Sequence, residues 1–94
     1  MDNNKVVKQI ADWMVESGTE NTTEGNWIFN VDKITEKFGV TRNWVTAYRE
    51  EIVDALYEHE AVADVIYEWL TFGTVEYFDI DFYTGFCPNV DDEN

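Results

Sequence analysis

Residues 41–70 read TRNWVTAYRE EIVDALYEHE AVADVIYEWL, and the fold turns on how this stretch is read. No Gly or Pro occurs between Val40 and Phe72, so nothing in the local chain forces a helix to stop. Val45, Tyr48, Ile52 and Leu56, then Val62, Val65, Ile66 and Trp69, recur at helical spacing. Thr41 is a good residue to cap such a helix. The stretch predicts either one helix of about 45 Å, from the rise per residue, or two helices that break near His59. The break is favoured, because helices in globular proteins average only about three or four turns.

The charges on this stretch are lopsided. Glu50, Asp54 and Glu58 lie four apart, and so do Glu60, Asp64 and Glu68. Residues four apart share a helix face, so each set predicts a vertical row of carboxylates. Each like-charge pair at that spacing costs a helix about 0.2–0.5 kcal/mol. No Lys or Arg follows Arg49 to offset it. A sequence that tolerates the cost points to a use for negative surface.

The same asymmetry divides the whole chain. Its 94 residues carry a formal net charge of −14. All six basic side chains (Lys5, Lys8, Lys33, Lys37, Arg42, Arg49) lie before residue 50, against seven acids there. Thirteen acids and no Lys or Arg lie from Glu50 onward. An anionic half repels DNA phosphates and anionic membranes and attracts basic clefts. Hydrophobic residues make up 45% and aromatic residues 16%, enough for a packed core, which excludes a disordered acidic chain. The length fits one domain over 1–94, with 1–3 and 91–94 frayed. Cys87 is the only cysteine, which excludes an internal disulfide and any multi-Cys zinc site and fits a reducing, cytoplasmic setting. No apolar run is long enough to span a bilayer, and the first residues lack the regions of a signal peptide.

Outside the central stretch, Val6, Val7, Ile10, Trp13 and Met14 predict a helix over 4–17, capped by Asn3 or Asn4 and stopped at Gly18. Residues 18–26, GTENTTEGN, predict a surface loop. Trp27, Ile28 and Phe29 form a short strand or an anchor. Asn30 caps a helix from Val31 to Phe38, with Phe29 and Ile34 at staple positions and Gly39 as the stop. In 74–83, Phe78, Ile80 and Phe82 alternate with Asp79 and Asp81, which predicts a strand with one apolar and one acidic face. Gly85 to Asn89, with Pro88, reads as a turn. The expected class is α+β, mainly helical, with a tri-helical core and a short C-terminal β element.

The residues Ile34, Phe38, Gly39, Val40, Val45 and Tyr48 resemble the packing pattern of a helix-turn-helix motif over 31–50. Ile34 and Phe38 would face inward, Gly39 would make the turn, Val40 would plug it, and Val45 and Tyr48 would pack the second helix on the first. Thr35 departs from the motif, which usually has a small apolar residue there. The resemblance implies that Arg42, Asn43, Thr46 and Arg49 would meet DNA. Glu50, Glu51 and Asp54 follow directly and oppose that role.

The acidic rows support another reading. Helical carboxylates four apart rise about 6 Å per step, near the scale of successive phosphates along nucleic acid. Extended by Asp79 and Asp81, they would imitate a phosphate backbone and fill a basic groove. In size and charge the chain is similar to small acidic phage inhibitors of the anti-CRISPR and anti-restriction type. The expected partner is then a basic protein surface, one that binds nucleic acid, with a homodimer left open. The plainer reading is a solvated acidic surface that confers solubility.

Enzyme chemistry finds little support. Glu76, Asp79 and Asp81 are candidates to bind a divalent cation, but a catalytic metal would need more ligands in a fixed pocket, and no cofactor motif is present. His59 lies between two glutamates and reads as a surface residue. Cys87, with no His nearby in sequence, reads as a buried or idle thiol, and the four tryptophans read as mostly core.

Overall fold

A computed structural model of the chain describes residues 2–70 and 73–91. Those residues form a mixed α+β structure in the order α1 (Asn3–Asn21), β1 (Asn26–Asn30), α2 (Val31–Phe38), α3 (Arg42–Ala47), α4 (Arg49–Tyr57), β2 (Val62–Trp69) and β3 (Val75–Phe82), followed by a 3-10 turn at Thr84–Phe86. The expectation of frayed ends at Met1 and beyond Asp91 lies outside the described residues.

Helix α1 starts one residue earlier than the sequence implied. Asp2, not Asn3 or Asn4, is the cap, and its carboxylate accepts from the backbone N–H groups of Asn4 and Lys5. Val7, Ile10, Ala11, Met14 and Val15 form the buried stripe. Gly18 continues that stripe and does not stop the helix. A Cβ at Gly18 would lie 2.6 Å from the Phe82 ring, so the missing side chain makes room for a core aromatic. The helix ends at Thr22, whose N–H bonds the Gly18 carbonyl. The buried Thr22 hydroxyl accepts from the Gly25 N–H and donates to the Asn26 carbonyl, which closes a tight turn where a nine-residue loop was expected.

The next segment matches its sequence signals. The Asn30 side chain accepts from the Asp32 N–H and starts α2. Gly39 ends it in the left-handed region at φ 70°, with its N–H on the Thr35 carbonyl. Thr41 then caps α3 by accepting from the Trp44 N–H. Ile34, Val40 and Val45 are buried, while Phe38 is half-buried and meets the Trp13 ring edge-on.

The long stretch is not helical throughout. Tyr48 leaves helical geometry at φ −102° and ψ 14°, which separates α3 from α4. Its ring stacks on Trp44 at 4.6 Å and its hydroxyl accepts from the Asn3 amide. A second break falls beside His59, as expected, but a strand follows it instead of a helix. In that strand Val65, Tyr67 and Trp69 point to the inner face, opposite Ile80, Phe78 and Val75 of β3. Asp64, Ile66 and Glu68 point outward, opposite Asp81, Asp79 and Tyr77. Ile66 is the apolar residue on an outward position, and it gives the segment its apparent helical period. Pairing with β3 decides the outcome, since β-branched and aromatic side chains suit a half-buried pleated surface.

Strand β3 runs antiparallel between its neighbours in the sheet order β1-β3-β2. Its Val75, Phe78, Ile80 and Phe82 are buried, as the alternation implied for the last three. The β structure is therefore not confined to the C-terminal segment. Helices α1 and α2 pack on β1, α2 and α3 reach β3, and α4 packs on β2 and α1. All of them cover the inner face. Among the described residues no element covers the outer one.

The close approach at Gly18 gives a direct test. Replacing Gly18 by Val adds a branched side chain against a ring that is itself buried. Overpacking of this kind costs about 1–3 kcal/mol. The Gly18→Val variant is expected to unfold at lower denaturant concentration with an unchanged slope, and an unshifted midpoint would show that Phe82 can move aside freely.

Candidate interaction surface

The strand register builds the outer face of the sheet in three cross-strand rows. Asn26, Asp81 and Asp64 make the first, Ile28, Asp79 and Ile66 the second, and Asn30, Tyr77 and Glu68 the third. Four of these positions are carboxylates and none is Lys or Arg. Asp64 and Asp81 stand directly opposite one another, an arrangement that destabilises a sheet. Asp79 is half-buried and accepts from the Asn26 amide at 3.3 Å. Ile28 is 53% exposed and Ile66 50% exposed, so each keeps an apolar side chain in water.

The second acidic surface is α4. Glu50 and Asp54 are exposed one turn apart, and Glu58 follows as the residue that ends the helix. This is the helical row that the sequence implied. The other row is corrected. Glu60 lies in the turn before β2, and Asp64 and Glu68 share the outward face of a strand. Four strand residues span about 13 Å, against about 6 Å on a helix. The carboxylates of β2 are thus spread out along the sheet, where Asp79 and Asp81 join them.

Two tyrosines join α4 and β2, one at the strand's edge and one on its inner face. The Tyr57 hydroxyl, at the end of α4, donates to Asp64 at 2.9 Å and accepts from the Val65 N–H at 2.9 Å. The bond from Val65 pulls the Tyr57 phenol down, while donation to Asp64, burial and the Asp64 charge push it up, and the upward causes win. Tyr57 therefore stays a donor at neutral pH. The Tyr67 hydroxyl donates to Glu50 at 2.6 Å.

The cationic residues implied by the helix-turn-helix resemblance are engaged within the chain. Arg42 is ion-paired with Asp32. The Thr46 hydroxyl donates to the Arg42 carbonyl and accepts from the Val75 N–H. Arg49 donates to the Thr46 carbonyl, and its guanidinium lies 4.9 Å from the Trp69 ring centroid and 6.0 Å from that of Tyr67. Asn43 is exposed. The structure thus brings Arg42, Thr46 and Arg49 together as a brace between α3, α4 and the sheet.

The remaining residues singled out by chemistry are scattered. His59 is half-buried, with Nε2 2.8 Å from an Asp12 carboxylate oxygen, in a cleft of about 330 Å³ between α1 and the end of α4. Lys8 also reaches Asp12, at 3.9 Å. Cys87 is buried, and burial pushes its thiol up, away from the reactive thiolate. Among the described residues no group of three or more His, Cys, Asp or Glu side chains is arranged to hold a metal ion. No described helix is long and apolar enough to cross a membrane. The tryptophans are less buried than expected: Trp13 and Trp44 are half-buried, and Trp27 and Trp69 are exposed. Trp69 escapes the core because it sits at the end of an edge strand, where Arg49 covers it instead.

Sequence reasoning missed Ile28, Ile66, Asn26 and Tyr77 as parts of one surface. Their proximity depends on a strand register across some fifty positions of chain, and no local pattern carries it. No family model, curated protein or solved structure matches the chain.

The facing pair Asp64 and Asp81 makes a measurable claim. Both are exposed, and Asp64 is the member held by Tyr57. Relief of an opposed like-charge pair is worth about 0.2–1 kcal/mol. Asp81→Asn is expected to raise the thermal midpoint at low salt, with a smaller gain at high salt where screening already acts. A lowered midpoint at low salt would show that Asp81 is stabilised by its surroundings.

Proposed function

We propose that this chain is a non-enzymatic inhibitor of the acidic, DNA-mimicking type. Its carboxylate surface occupies a basic, nucleic-acid-binding surface of a partner protein. One observation carries the reading: Glu50 and Asp54 on α4, with Glu58 at its end, are linked at the edge of β2 by the Tyr57–Asp64 bond to Asp64, Glu68, Asp79 and Asp81 on the outer sheet face, with no Lys or Arg from Glu50 onward. Steps of about 6 Å on the helix and about 6.6 Å between alternate strand residues are of the order that separates phosphates through space. Glu60 lies between the two surfaces in sequence and adds to the field. Solubility alone does not require like charges to face one another across a sheet. It is served equally by acids spread over the molecule.

The test uses the intact chain as bait in a lysate of the source cells. A captured partner is expected to be released by duplex DNA and by salt. Asp54→Lys with Glu58→Lys, and separately Glu68→Lys with Asp81→Lys, are expected to slow its association more than they speed dissociation, because complementary fields act chiefly on encounter. Capture that DNA does not compete, or variants that associate at the parent rate, would reduce the acids to a solubility surface.

The alternative is a small regulator that uses a tri-helical, helix-turn-helix-like arrangement of α2 and α3 on DNA. The engagement of Arg42 with Asp32 and of Arg49 with Trp69 leaves that reading short of free cations. Non-specific DNA binding depends on cations that displace counterions from phosphate. Titration with random duplex DNA at physiological salt is therefore expected to give no measurable binding. Micromolar affinity that weakens steeply with salt would favour the regulator.

A further inference from the structure

The outer sheet face is acidic, and its central row carries two exposed isoleucines. Ile28 and Ile66 flank Asp79 in the central row, and each is about half exposed. Asp64 and Asp81 lie in the row on one side, with Tyr77 and Glu68 in the row on the other. A phosphate mimic has no need of two solvated isoleucines at its centre. An interface does, because apolar side chains that lose water on contact, set among charged ones, are a usual part of a protein contact.

The edges of the sheet are less available than its face. On β2 the Val65 N–H is taken by the Tyr57 hydroxyl, and on the β1 side the Asn26 carbonyl is taken by the Thr22 hydroxyl. These bonds blunt both edges against an added strand. The face is three strands wide. Its outer strands are separated by about 10 Å, the length of about seven helical residues at a rise of about 1.5 Å each. A second copy of the chain is a poor occupant, since it would bring Asp64, Asp79, Asp81 and Glu68 against the same four carboxylates.

We propose that this face takes a single amphipathic, cationic helix of the partner protein. The helix lies across the strands along the row of Ile28, Asp79 and Ile66, with apolar residues about seven apart on the two isoleucines, a Lys or Arg between them over Asp79, and Lys or Arg on either side. Cations on one flank reach Asp64 and Asp81, and those on the other reach Glu68. The proposal rests on the reading of the acidic surface as a partner site and narrows it to one contact.

The probe is a Leu/Lys peptide designed as an amphipathic helix, compared with a peptide of the same composition whose order is scrambled to remove the stripe. Binding to the full-length, isotope-labelled protein is followed by backbone amide shifts. The striped peptide is expected to shift residues 26–30, 64–68 and 77–81, and to bind about tenfold or more tightly than the scrambled one. Replacing Ile28 and Ile66 together by Ser is expected to erase that difference, with the scrambled peptide unaffected. Both isoleucines are exposed, and unchanged far-ultraviolet dichroism verifies the fold of the variant. Equal binding of the two peptides, with shifts confined to 50–58, would overturn the helix-docking proposal while leaving a general acidic partner site in place. Failure of both peptides to bind at low salt would overturn both readings.

Discussion

A central strand has two edges, and both must be hydrogen-bonded when the strand is buried. Strand β3 is that strand here, with Val75, Phe78, Ile80 and Phe82 in the core. Its demand for neighbours explains most of the architecture. On one edge it pairs with the short β1, and on the other with all of β2. A segment whose apolar spacing also suits a helix is drawn into the sheet because leaving β3 half-paired would strand buried N–H and C=O groups. The Gly18 notch follows from the same strand, since Phe82 points inward at the place where α1 crosses.

The local signals in the sequence were legible wherever one residue acts on its own backbone. Asn30, Gly39 and Thr41 each cap or stop a helix as their chemistry implies, and the alternation in β3 marked its two faces. The signals failed where the decisive partner lies far away in sequence. Ile66 looked like part of a helical stripe because its neighbours Val62, Val65 and Trp69 are apolar too. Its outward position becomes apparent only once Asp79 is opposite. Gly18 looked like a helix stop because its reason for being glycine is a ring sixty-four positions later. The acidic surface was legible as a quantity of charge, but its division between α4 and the sheet was not.

The basic residues complete the electrostatic picture. Among the described residues, the two arginines are consumed in joining elements: Arg42 ties α3 to Asp32 of α2, and Arg49 braces α4 against Trp69 and Tyr67. Lys8 is near Asp12, and Lys37 lies over the Trp13 ring at 5.6 Å. These four cations are thus engaged within the chain on the side of the helices. The outer sheet face carries no Lys or Arg of its own, and Lys33 lies near Ile28 and Asn30 at its β1 margin.

The position of β3 in the chain also sets the timing of folding. Asn26 finds its partner at Asp81, and β1 and β2 do not pair with one another. During synthesis both flanking strands leave the ribosome before the strand that joins them, and domains tend to fold as units in the order they emerge. The helices can gather early through local contacts, but the sheet has no template until 75–82 appears. Closure then brings together contacts of long sequence separation in one late step, which slows folding relative to a helical bundle of this size. Until that step Ile10, Met14 and Ile34 have no sheet to rest on.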